Sequence, residues 1–149
     1  MNNNKNRLKL ISIISPCFNE EKNVLKCYNS VKDVFIRYLP HYEYEHIFSD
    51  NNSKDSTQKI LRELANKDKR VKVIINTRNY GPQCSVFNSL KRSSGDVVLP
   101  LLPVDLQDPP EIIPKFIKEW ENGSLIVAGV RKNRMEGLII RVFRKLYYK

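Results

Sequence analysis

The spacing of apolar residues changes several times along the chain. Leu8-Lys9-Leu10-Ile11-Ser12-Ile13-Ile14-Ser15 is nearly continuous in apolar character and predicts a buried strand stopped by Pro16. Val24, Tyr28, Val31, Phe35 and Tyr38 then recur every three or four residues, which is a helical stripe, with Asn19 as its cap and Pro40 as its end. A second strand is predicted over 44–49, a helix carrying Ile60, Leu61 and Leu64, and a third strand over 71–75. A helix from about Pro82 to Arg92, closed by Gly95, leads into a strand over 96–102. A helix with Ile112, Ile113, Phe116, Ile117 and Trp120 follows, then a strand over 125–130. Strands alternating with helices at this spacing indicate βα units, a mostly parallel sheet and a three-layer α/β domain.

Each of these strands runs into a polar loop. In a parallel sheet such loops gather at the carboxyl edge, where α/β folds bind ligands. The ring so formed contains Pro16-Cys17-Phe18-Asn19-Glu20, Asp50-Asn51-Asn52-Ser53, Thr77-Arg78-Asn79-Tyr80-Gly81 and Val104-Asp105. In the last of these, Asp108 is placed to cap a helix, with Pro109 at its first position and Glu111 completing a capping-box pattern. Asp105 has no such structural task, yet it sits at the carboxyl end of a strand, where such sheets bind their ligands. One carboxylate, one arginine and several amides suit a nucleoside diphosphate with Mg²⁺ or Mn²⁺, which take one or two carboxylates together with water and phosphate oxygens. Each residue also has a plainer role open to it: an Asx turn for Asp50, a solvated loop acid for Asp105, a surface charge for Arg78. Cys17 and Cys84 read as small packing residues rather than nucleophiles, and neither His41 nor His46 is assigned a role.

The 149 residues, 41% hydrophobic, suffice for one domain over 1–149, and no apolar run approaches the ~20 residues of a membrane span. Three widely spaced cysteines, Cys17, Cys27 and Cys84, fit reduced thiols in the cytoplasm better than a disulfide framework or zinc site. The net charge of +10 favours an anionic partner. More than half of it lies in the tail, where Arg131, Lys132, Arg134, Arg141, Arg144, Lys145 and Lys149 face a single acid, Glu136. With Leu138, Ile139, Val142, Phe143 and Leu146 these predict a basic amphipathic helix. It is suited either to an anionic membrane surface on the cytoplasmic side or to an ordinary solvated face. No G-x-G-x-x-G or P-loop is present, and neither RNP-type interleaving nor a helix-turn-helix signal supports a nucleic-acid partner.

The four loops also resemble, in order, the motifs of family 2 glycosyltransferases, especially those acting on dolichyl or polyprenyl phosphate. Asp105-Leu106-Gln107-Asp108-Pro109-Pro110-Glu111 resembles that family's metal-site segment, with Pro103 replacing the first acid of its Asp-x-Asp triplet. Pro16 to Glu20 resembles Pro-x-Tyr-Asn-Glu, and Asp50 to Thr57 resembles Asp-Asp-Gly-Ser-x-Asp-Gly-Thr, with Asn51 in place of the second acid. Thr77 to Gly81 resembles Ser-Arg-Asn-Phe-Gly, and Gly129 to Arg134 resembles Gly-x-Arg-x-x-Arg.

The resemblance implies a nucleotide-diphospho-sugar transferase (GT-A) fold, incomplete on its acceptor side. It also implies metal-dependent, inverting transfer from a UDP- or GDP-linked sugar to polyprenyl phosphate or a cell-envelope glycan. Asp105 is then the ligand of Mg²⁺ or Mn²⁺, and Pro16, Phe18, Asn19, Glu20, Asp50, Asn51, Arg78, Gly81 and Val104 bind the nucleotide. No general base is found in the chain. The alternative is a non-catalytic nucleotide-binding or membrane-surface module descended from such an enzyme.

Overall fold

The proline expected to end the first strand lies inside it. In the computed structural model, which describes residues 7–100 and 102–130, β1 spans Leu10–Cys17. The Ile14 carbonyl accepts from Leu102 N–H at 2.9 Å on the β4 side (β4 is Val97–Leu99), and Pro16, two residues on, turns its backbone the same way. By then β4 has ended, so the missing N–H of Pro16 leaves no ladder bond unmade. Pro100 in turn stops β4 short of the predicted 102.

β2 (Glu43–Asp50), β3 (Val71–Ile75) and β4 complete a parallel sheet of order β3-β2-β1-β4. α1 (Val24–Tyr38) and α2 (Thr57–Lys67) connect β1 to β2 and β2 to β3 in one direction across the sheet. α3 (Gly81–Leu90) carries the chain back past β1 to β4. Right-handed crossovers put α1 and α2 on one face and α3 on the other, which is the expected three-layer arrangement. Both faces of the sheet are covered: Ile11 and Ile13 on the α1 side and Ile14 and Ile47 on the α3 side are all 0% exposed.

Several expectations for the helices change. α1 begins at Val24 with Asn23 at its cap, not at Asn19. Its buried stripe is Val24, Cys27, Val31, Val34 and Phe35, and Tyr38 lies exposed. The helix after Asp108 opens one residue late, as a 3-10 turn at Pro110–Ile112 continuing into α4 (Ile113–Glu121). Pro109 takes the cap position with an extended backbone and has no side-chain acceptor to offer, so the expected capping box does not form.

Contacts divide the chain into a unit over 1–115 and a second over 116–149. The second contributes the end of α4 and an irregular segment over 122–130. The strand expected at 125–130 is therefore absent: Leu125, Ile126 and Val130 are exposed, and no described residue pairs with this backbone. Apolar β-formers supply propensity, but a strand exists only with a ladder partner. The basic tail from Arg131 lies outside the described residues.

Polar side chains inside the sheet are paired with one another. Glu45 accepts from Ser12 Oγ, from Ser94 N–H at 2.6 Å and from Lys72 Nζ. Burial alone would raise its pKa, but these donors together outweigh burial and hold it below the ordinary carboxylate value. On the α1 face, His46 is fully buried, with Nε2 2.9 Å from Ser15 Oγ and Nδ1 without a hydrogen-bond partner among the described residues. Burial lowers its pKa to about 3. Between that value and the ordinary histidine value of about 6.5, the unfolded chain binds a proton that the folded chain refuses. Stability therefore falls as pH drops below about 6.5, by up to about 1.4 kcal/mol per unit from this group alone. Denaturant melts of the parent and of His46→Gln across pH 7 to 5 check this, the variant losing less over that interval.

Candidate functional site

The four loops at the carboxyl edge lie in the order 76–81, 50–57, 18–23 and 100–108, following the strands that feed them. Strand order reverses between β1 and β4, so a crevice opens between the third and fourth of these loops.

The 18–23 and 50–57 loops are joined by a reciprocal set of hydrogen bonds. Asn19 N–H donates to Ser53 Oγ at 2.8 Å, Glu20 N–H to Thr57 Oγ1 at 2.8 Å, and Glu21 N–H to Asp55 Oδ2 at 3.2 Å. In return Lys54 N–H donates to Asn19 Oδ1 at 2.8 Å and Ser56 N–H to Glu21 Oε2 at 2.9 Å. This role explains why Asn19 does not cap α1: it sits at φ +57°, in the left-handed region that Asn tolerates, with its side chain committed across the gap. The Glu20 carbonyl takes the Asn23 and Val24 amides instead, and the Glu20 side chain accepts from Asn23 Nδ2 at 2.7 Å.

Asp50 is fully buried. Its carboxylate accepts from Ser53 Oγ, from Ser53 N–H at 3.0 Å and from Gln58 Nε2 at 2.9 Å, so it shapes the 50–53 turn. Asn51, 3% exposed, accepts at Oδ1 from Asn76 Nδ2 at 3.0 Å and from Ser85 Oγ at 2.7 Å. Its Nδ2 donates to the Gly81 carbonyl at 3.3 Å. Ser53, Thr57, Gln58, Asn76 and Ser85 thus support the loops although none is among the site residues expected from the sequence. Their signal was available in outline, since Asn76 directly follows β3 and Ser53 lies in the polar loop after β2.

Phe18, Arg78 and Asp105 are among the side chains exposed at this edge. The Arg78 guanidinium lies over the Tyr80 ring at 4.6 Å, and Tyr80 Oη is 3.0 Å from Thr77 Oγ1. Gly81, at φ +81°, donates its N–H to Asn79 Oδ1 at 2.8 Å in an Asx-type turn.

In the fourth loop, Leu106 N–H closes a turn onto the Pro103 carbonyl at 3.2 Å. Val104 is buried and anchors that turn, while Asp105 is exposed. Asp105 does have a structural bond after all: Oδ1 accepts from Gln107 N–H at 3.1 Å, spanning Leu106 at φ +58°. A non-glycine residue in that region costs roughly 1–3 kcal/mol and persists where the surroundings enforce it. Asp105 Oδ2 has no hydrogen-bond partner among the described residues.

Among the described residues no three His, Cys, Asp or Glu side chains converge as a closed metal cage. An open site with one protein carboxylate fits Mg²⁺ or Mn²⁺, whose other positions go to water and phosphate oxygens, and does not fit structural zinc. Cys17 and Cys27 are buried with thiols pushed up, Cys27 to about 11, by burial first, so neither is a nucleophile. Cys84, expected to pack, is exposed on α3.

Residues 12–146 match the sequence profile of glycosyl transferase family 2. The chain belongs to this family. A bactoprenol glucosyl transferase of Shigella phage SfV is 38% identical over 140 residues, which are 93% of this chain and 45% of that protein. An undecaprenyl-phosphate 4-deoxy-4-formamido-L-arabinose transferase of Pseudomonas fluorescens is 34% identical over 140 residues, 93% of this chain and 40% of that protein. The chain thus spans less than half the length of these curated relatives. A mannosyltransferase from Pyrobaculum calidifontis, solved with GDP-Man and Mn²⁺, shares the fold at TM-score 0.62 and 16% identity, over 76% of this chain and 32% of that one. The family 2 segment and the parallel α/β fold of this glycosyltransferase class agree with the motif resemblance.

Proposed function

We propose that this chain is the nucleotide-sugar-binding part of a glycosyltransferase that moves a sugar from a UDP- or GDP-linked donor to polyprenyl phosphate. A cell-envelope glycan is the other acceptor class. The observation that carries this reading is the outward carboxylate of Asp105, fixed by a strained turn beside the β1/β4 crevice. Family membership and the acceptors named for the two relatives support the acceptor class, and the GDP-Man in the Pyrobaculum mannosyltransferase structure supports the donor class.

Asp105 Oδ2 is the protein ligand available for Mg²⁺ or Mn²⁺, with Oδ1 held by Gln107 N–H so that the carboxylate keeps one orientation. When bound, the ion neutralises charge that develops on the departing diphosphate. Arg78, already placed over Tyr80, adds a second positive charge for the phosphates. Phe18 presents an exposed ring for the base, backed by the linked backbone of Asn19 and Glu20. Asp50, Asn51 and Gly81 contribute by holding the loops, and Pro16 and Val104 by anchoring the walls of the crevice.

Transfer with inversion requires the acceptor oxygen to attack opposite the diphosphate. A phosphate acceptor is already ionised and relies less on a general base than a hydroxyl does. Among the described residues no helix is long and apolar enough to cross a membrane. Peripheral attachment through the basic tail is the form of membrane association proposed.

Calorimetric titration with UDP and GDP, each with and without Mn²⁺, followed by a transfer assay onto polyprenyl phosphate in vesicles, tests the reading. Metal-dependent binding together with transfer is the expected result. Binding without transfer favours the non-catalytic module, and no binding of either nucleotide overturns the proposal.

A further inference from the structure

Two neighbouring asparagines hold the two ends of the loop that carries Arg78. Asn51 Nδ2 donates to the Gly81 carbonyl at 3.3 Å, and Asn52 Nδ2 donates to the Thr77 carbonyl at 3.0 Å. Between these points lie Arg78 and the Tyr80 ring on which it rests. The orientation of the Asn51 amide is fixed by its neighbours. Its oxygen faces two donors, Asn76 Nδ2 and Ser85 Oγ, so its nitrogen faces Gly81. Asn76 is fixed in turn: Nδ2 also donates to Ser85 Oγ at 2.8 Å, and Oδ1 accepts from Asn88 Nδ2 at 3.1 Å. Asn52 is set by its backbone, at φ +63°, a region Asn adopts more readily than most residues.

We propose that Asn51 and Asn52 form an amide clamp that positions Arg78 and Tyr80 for the donor's phosphates, an inference that rests on the nucleotide-sugar reading above. The chemistry requires an amide at each position. An aspartate has no N–H for either carbonyl and would set a carboxylate against the oxygen of Gly81 or Thr77. Alanine or glycine would release the loop end. The clamp therefore accounts for an Asn-Asn pair directly after the buried Asp50, and makes both residues positioning residues rather than contacts of the base.

Asn52→Asp is the principal test, because Asn52 is only half-buried and the variant keeps the side-chain size; Asn51→Asp is the second variant. Hydrogen–deuterium exchange reads the clamp without any ligand. Exchange over 77–81 should quicken in Asn52→Asp while the β1 and β2 amides keep their protection, and unchanged exchange over 77–81 overturns the clamp. Calorimetry with UDP and GDP in the presence of Mn²⁺ reads the positioning. Asn52→Asp should weaken binding by roughly three- to tenfold, as for loss of one hydrogen bond. In an Arg78→Ala background the same substitution should change it by less than about twofold, as a coupled pair requires. An equal loss in both backgrounds overturns positioning through Arg78. If Arg78→Ala alone binds like the parent, the assignment of Arg78 fails and the positioning role fails with it.

Discussion

Asp105→Asn is expected to abolish the metal-dependent part of UDP or GDP binding while leaving the melting temperature within about 1 °C of the parent, as for a surface change that removes no buried contact. The substitution is nearly isosteric, and the asparagine Oδ1 still accepts from Gln107 N–H, so the turn over Leu106 survives. What disappears is the anionic Oδ2, the atom available to a divalent cation. Loss of outer partners of metal ligands commonly costs 10–100-fold in affinity, and loss of the ligand itself at least about as much. The comparison is made in EDTA and in Mn²⁺. In EDTA the variant should bind as tightly as the parent or slightly better, because a negative charge near the diphosphate has been removed. In Mn²⁺ only the parent should gain. If both proteins gain equally from Mn²⁺, the metal is held elsewhere and the role assigned to Asp105 is wrong.

How far this site could be read from the sequence differs by residue. The βα alternation and the four polar loops were legible because buried parallel strands leave long apolar runs and their loops gather at one edge by topology. Asp105 was legible because it falls just after such a run. Its bond to Gln107 was not, because it depends on a left-handed Leu106, which nothing in the residue type announces.

The functions of Asp50 and Asn51 were legible only in part. The resemblance marks them as nucleotide contacts; the fold also commits Asp50 to Ser53 and Gln58, and Asn51 to Asn76 and to Gly81 and Ser85 of α3. The pairing of Asn51 is long-range and has no local signature. The same holds for Ser12, Glu45 and Lys72, which look like interruptions in apolar strands until the parallel register brings them together. Local rules also failed where a partner decides the outcome. Pro16 stays in β1 because β4 has ended beside it, and 125–130 forms no strand for want of a ladder.

Gly95→Ala should be strongly destabilising, because a methyl at the entry to β4 has no room. A Cβ at this position would sit 2.5 Å from Ser12 Oγ, 2.7 Å from Ser12 N and 2.8 Å from Val97 O. Two of those atoms are backbone, in the adjoining strands β1 and β4, so no rotamer change clears the clash. Gly95 N–H also donates to Ser12 Oγ at 2.9 Å, and Ser12 in turn donates to the buried Glu45, so moving the 93–96 turn outward disturbs that buried network. Overpacking of a well-packed site typically costs about 1–3 kcal/mol, and the backbone contacts place this case at or above the upper end. For a chain of this size that corresponds to a fall of roughly 5–10 °C in melting temperature. Removing the Ser12 hydroxyl in Ser12→Ala/Gly95→Ala relieves only the side-chain contact and should not restore the parent's stability. Because the turn lies at the amino edge of the sheet, opposite the loops, nucleotide affinity of the folded fraction should be unchanged. A melting temperature within about 2 °C of the parent, or full rescue by Ser12→Ala, would show that the strands part here more easily than their geometry indicates.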